Sequence, residues 1–232
     1  AITAGAVGFA NPVRAQEIFS DVFGKLIENA KGEKYEKEDT EKFTKIGGNA
    51  VAVQEEIEKQ QEGDYVTTAE KDGVTLSVSD VYCDGYMLYF TTSLKTDRED
   101  LNQADGIVLE KKVGETYRME IDGVDMASAI RPFEKSADGT FVAVQQMELM
   151  DPYSSKDKPI DLGLEEKETV VVDWTVTNLW GHLWDKWDEN GEYAMTGAAE
   201  GEWHLRFPVT IDRSQNQTFD INKEENGILV KQ

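Results

Sequence analysis

Hydrophobic positions recur at two different intervals along this chain, and the change from one to the other divides it. Near the N-terminus, Asn11-Pro12 opens a helical pattern. Asn caps a helix well, and Pro in the first helical position loses nothing by lacking an N–H. Val13, Ile18, Phe19, Val22, Phe23, Leu26 and Ile27 follow, many of them at three- and four-residue steps. That stripe predicts a helix over 11–28. Residues 31–46 are heavily charged, with only Tyr35, Phe43 and Ile46 as apolar anchors. They read as a loop or a weak, solvated helix. Residues 49–61 read as a short second helix or an extended linker.

From Tyr65 the interval shortens to two. Val74, Leu76 and Val78 fall on one face of a strand. After Asp84-Gly85 a second run sets Met87, Tyr89 and Thr91 against Leu88 and Phe90. An Asp-Gly pair between two alternating runs is a strong hairpin signal. Further strands are predicted at 107–112, 115–121, 140–149, 168–177 and 201–211, punctuated by Asp122-Gly123, Asp138-Gly139 and Asn190-Gly191. Short strands with turns at this spacing predict a mainly β fold, an antiparallel sandwich over 64–232. No βαβ rhythm is present.

Composition narrows the function classes. The 232 residues carry 46 acidic against 24 basic side chains, a formal net charge of -22. Such a surface repels phosphate backbones and anionic lipid headgroups, which argues against nucleic-acid partners and against membrane binding through a basic patch. The first ten residues, AITAGAVGFA, are small and apolar. As a helix they would reach about 15 Å, half of a bilayer core of roughly 30 Å. They read either as a disordered end or as the outer end of a truncated transmembrane or signal segment.

Catalytic motifs are sparse. There is no G-x-S-x-G elbow, no P-loop and no G-x-G-x-x-G. The single cysteine, Cys83, rules out an internal disulfide and a CxxC pair. It reads as a small strand residue beside a turn, since a thiol nucleophile needs a nearby histidine. His182 and His204 fall in no spaced metal-ligand motif and read as half-buried neighbours of tryptophan. No catalytic residue, metal or cofactor is assigned. Asp185–Tyr193 resembles a fragment of a calcium loop but lacks its ligand order, so a type I′ turn at Asn190-Gly191 explains it better. Asn216-Gln217-Thr218 matches a glycosylation acceptor, a pattern that arises often by chance.

The tryptophans carry the remaining signal. Trp180, Trp184 and Trp187 occupy a helix-like i, i+4, i+7 stripe. Buried, they would form a short core-facing helix over an open end of the sandwich. Exposed, they would form a flat sugar- or peptide-binding platform. Trp180, Trp184, Trp187 and Trp203 are the candidate ligand-binding residues.

Three segments carry a resemblance to a known family. NPVRAQEIFSDVFGKL, DGVTLSVSDVYCDGYMLYFTTSL and GEWHLRFPVTID, in that order, resemble the domain of unknown function (DUF) 4179 family of Gram-positive bacteria. The resemblance implies an immunoglobulin-like sandwich preceded by an N-terminal α-helix. It implies a single-pass protein of the cell membrane, anchored by a preceding transmembrane helix, with this region extracellular and 11–63 juxtamembrane. It implies a sigma-factor partner, held by a cytoplasmic part absent from this chain. No catalytic residue is established for the family. The expected function is therefore a non-catalytic sensory or interaction domain of an anti-sigma-factor-like regulator, meeting an extracellular ligand or envelope component. The alternative is a cell-surface adhesin or carbohydrate-binding module, with a carboxylate-based hydrolase as a third reading.

Overall fold

The computed structural model describes residues 49–60, 63–109, 117–126, 131–149, 162–214, 216, 223–225 and 228–230. The expected helix over 11–28, the apolar stretch 1–10 and the charged stretch 31–46 lie outside the described residues. The elements in chain order are β1 (Val51–Ala52), α1 (Val53–Gln60), β2 (Thr68–Lys71), β3 (Val74–Cys83), β4 (Met87–Thr96), α2 (Glu99–Asn102), β5 (Gly106–Val108), β6 (Tyr117–Ile121), β7 (Val124–Asp125), β8 (Phe133–Lys135) and β9 (Phe141–Glu148). A 3₁₀ turn at Leu164–Glu166 leads to β10 (Thr169–Trp187) and β11 (Tyr193–Thr210), and β12 (Lys223–Glu225) pairs with β13 (Ile228–Val230).

The fold is mainly β and antiparallel, as the alternation predicts. Eleven strands join in one hydrogen-bonded sheet. Its path runs from β11 to β10, β5, β8, β9, β4, β3 and β2. It then returns to β11, because Val66, just before β2, exchanges backbone hydrogen bonds with Arg206 at 2.7 and 2.8 Å. The strand circuit therefore closes, which leaves fewer free edges for another chain to pair with.

The core lies between β4 and the β10–β11 hairpin. Phe90 of β4 meets Trp174 of β10 edge-on and Phe207 of β11, both at 5.5 Å between ring centroids. Period-two alternation supplies the rest: Val170, Val172, Trp174 and Val176 point inward from β10, and Trp203, Leu205 and Phe207 from β11. Within the stretch read as a short helix or linker, residues 51–60 form β1 and α1, so the short-helix reading holds. α1 is anchored by Glu56, whose fully buried carboxylate accepts the Thr210 backbone N–H at 2.7 Å and pairs with Lys59 at 2.6 Å. A carboxylate can be buried at this point only because both oxygens are satisfied.

The hairpin turns are where the sequence places them. Asp84 caps its own turn, accepting the Tyr86 and Met87 N–H groups at 2.8 and 2.7 Å. Asp72-Gly73 and Asp122-Gly123 both have positive φ at both residues, the type I′ signature. Asn190-Gly191 does not: only Gly191 is left-handed, at φ +77°. The expected type I′ turn is replaced by a longer loop, closed by Asp188 N–H to Glu192 O at 2.8 Å. Asp188 fixes it by accepting the Asn190 and Glu192 N–H groups on one carboxylate oxygen.

Candidate functional site

β10 and β11 are far longer than an average strand of five or six residues, and that length creates the site. Strand β10 pairs on its second edge with β6 over Val172–Val176 and with β5 over Trp180–His182. Beyond His182 it pairs only with β11 among the described residues. The hairpin passes under α2 where Gly181 and Gly197 face each other across the strands. A Cβ on Gly197 would strike Asp100, and one on Gly181 would crowd Ala104 and Leu101. The two glycines let α2 sit on the hairpin, and the segment past them projects.

Four rings line this projecting tip. His182 stacks parallel to Trp184 at 6.0 Å, Trp184 meets Tyr193 edge-on at 5.1 Å, and Tyr193 stacks on Trp187 at 4.5 Å. Met195 lies across from His182, on the same face of the ladder. Trp187 is 62% exposed, Met195 45% and Tyr193 40%. Trp184 is half-buried because its indole lies against Gly106, where a Cβ would collide with the ring. Its backbone N–H donates to Asp105 Oδ2 at 3.1 Å, and the Asp105 N–H donates to His182 O at 2.9 Å. The inner end of the ring run is thus built onto β5, and the outer end is open to solvent. Flat, exposed aromatic faces on a rigid hairpin suit stacking against a ligand, with little ordering entropy left to lose.

No protein family and no curated protein matches the chain. Among solved structures, that of a conserved domain protein from Bacillus anthracis is similar over 65% of this chain and 42% of its own, with 15% identity and a TM-score of 0.34. This chain thus spans less than half of that protein's length.

The remaining candidates separate by burial. The predicted short tryptophan helix is instead strand: Trp180, Trp184 and Trp187 all belong to β10. Trp180 is half-buried within the sheet, opposite Val108 and Ala198, and stacks on none of the four rings among the described residues. Trp203 is not a platform. It is 0% exposed and its indole N–H donates to Val74 O at 3.0 Å, which makes it a core residue. Tyr193 and Met195 were not singled out by the sequence pattern, and His182 was read only as a neighbour of tryptophan. Tyr193 had a signal, since it faces Trp187 across the Asn190-Gly191 loop.

Cys83, the two histidines and Asp80 differ in burial and in partners. Cys83 is fully buried, and burial pushes its thiol up to about 11. His182 is half-buried beside tryptophan, as expected, with Nδ1 3.3 Å from Tyr193 O. His204 is not: it is exposed, and its Nε2 lies 2.8 Å from Asp173, which Arg206 also holds. Burial raises the Asp80 carboxyl, opposed by a hydrogen bond from Ser79. Among the described residues no group of three or more His, Cys, Asp or Glu side chains is arranged to hold a metal ion. No described helix is long and apolar enough to cross a membrane.

Proposed function

We propose that this chain is a non-catalytic interaction domain of the sensory kind. In this reading it is the extracellular, immunoglobulin-like part of a membrane-anchored, anti-sigma-factor-like regulator. The sigma factor would be held by a cytoplasmic part outside this chain, and an extracellular ligand or envelope component would be met by the β10–β11 tip. The observation that carries the interaction reading is the tip itself: Tyr193 in ring contact with both Trp184 and Trp187 at the end of a hairpin, with Trp187 62% exposed. A monomeric domain with a sufficient core has no folding reason to keep such rings in water. The membrane and sigma-factor parts rest on the family resemblance.

Signalling requires that the ligand bind one state of the regulator more tightly than another, because only differential affinity shifts an equilibrium. Removing the domain from the intact protein should change expression of the genes the partner sigma factor controls. Reporter output that stays the same under every envelope stress tried would sink the sensory reading.

A carbohydrate-binding module is the second reading, favoured by the same observation, since exposed indole faces stack on sugar rings. Tryptophan emission titrated against a glycan panel separates the two. Saturable responses to a sugar, lost in Trp187→Ala, would establish it.

A further inference from the structure

The charge around the aromatic tip assigns its occupant more narrowly, provided the tip is the interaction surface proposed above. From Asp185 to Tyr193 the chain carries four carboxylates, Asp185, Asp188, Glu189 and Glu192, against one lysine, Lys186. All five of these side chains are exposed. Among the described residues, Asp185, Glu189 and Glu192 form no ion pair, unlike Asp173, which is held by Arg206 and His204. Backbone N–H groups of Glu192 and Asn190 hold the Asp188 carboxyl below the usual carboxylate range, so it stays ionised. Asp105 adds a fifth carboxylate at the foot of the ring run, with one oxygen bonded to the Trp184 N–H.

We infer that the tip binds a basic peptide segment, with lysine or arginine side chains laid over Trp187 and Tyr193 and their charge answered by the loop carboxylates. A cation over an indole or phenol face is attracted by the ring quadrupole, and the attraction grows when carboxylates nearby share the charge. The same carboxylates repel anionic glycans and phosphate esters. A neutral sugar would use the rings and leave the charges without a role. The net charge of -22 adds long-range attraction for a basic partner and speeds its approach.

The test titrates the 232-residue chain with an octa-arginine peptide, octa-glutamate and neutral chito-oligosaccharides, following tryptophan emission and heat of binding at low and high salt. The account expects saturable octa-arginine binding that weakens with salt and no octa-glutamate binding. Trp187→Ala with Tyr193→Ala should weaken it about tenfold. Asp185→Asn, Glu189→Gln and Glu192→Gln together should do the same. Removing three exposed charges elsewhere, with Glu70→Gln, Glu165→Gln and Glu166→Gln, should change it less than twofold, roughly the effect expected of distant screened charges. Equal binding by all these variants would mean non-specific attraction to an acidic surface and would overturn the inference. Sugar binding that the ring variants abolish, without peptide discrimination, would also overturn it while leaving the tip as an interaction surface.

Discussion

Trp174 and Trp203 share one core and differ in a single hydrogen bond. Both are fully buried. The Trp203 indole N–H donates to Val74 O, whereas the Trp174 Nε1 finds no acceptor among the described residues. Replacing either by Phe removes similar ring area. Only at position 203 does it also remove a buried hydrogen bond, while at position 174 it removes a buried donor that was already unpaired. Trp203→Phe should therefore destabilise the protein by about 1 kcal/mol more than Trp174→Phe. Urea unfolding of the two variants measures the difference, and equal losses would deny the hydrogen bond a role. Burial also separates these two from Trp187, whose truncation should alter stability by no more than about 0.5 kcal/mol. Sequence could not rank the tryptophans. Residue type is the same in all five, and only the partners of each ring, which come from distant strands, decide which is core.

At the scale of elements, the hairpins were legible and the tip was not. Asp84-Gly85 and Asp122-Gly123 sit between alternating runs, and the structure turns at both. Trp180, Trp184 and Trp187 misled because a bulged strand breaks period two. On a regular strand Trp184 and Trp187 would face opposite sides. A register shift between Leu183 and Trp187 changes that parity and brings both rings onto Tyr193. The resulting spacing mimics a helix. The run Asn178–Lys186 also lacks the strict apolar–polar alternation that marked β10 upstream, because the stretch past Gly181 progressively leaves the core. α1 was ambiguous for a different reason. Its anchor is a buried charge, Glu56, and no hydrophobic pattern announces one. Glu56→Ala strands the Thr210 N–H and leaves the half-exposed Lys59 ammonium to water. It should cost about 1–3 kcal/mol, read by chemical denaturation. Hydrogen exchange should show the loss concentrated at α1 and the end of β11, and uniform exchange would contradict the anchoring role.

The whole molecule couples a closed strand circuit to a strongly acidic surface. Closure pairs Val66, just before β2, back onto β11, and the proposed contact is made by side chains at the tip. The core also sets an alkaline limit. Burial lifts the Cys83 thiol from its ordinary 9.0 to about 11 and the Tyr89 phenol from 10.0 to about 12. These groups ionise more readily in the unfolded chain, so their contribution is complete below pH 9 and is lost as pH rises through 11 to 12. For Cys83 the loss amounts to about 2–3 kcal/mol. Cys83→Ala should flatten the part of the stability profile between pH 9 and 11, and native protein at pH 8 should resist thiol reagents that label it at once in denaturant. A profile unaltered by Cys83→Ala would show that the thiol is not what falls away.

The central claim is that this domain acts by contact through the aromatic tip of β10–β11. The most direct measurement is reporter expression from the proposed sigma-factor partner, in cells carrying the intact protein with Trp187→Ala and Tyr193→Ala, with protein level and thermal stability checked in parallel. The account predicts a stable, normally abundant protein whose response to envelope stress is lost as fully as when the domain is deleted. A response identical to that of the unaltered protein would contradict it.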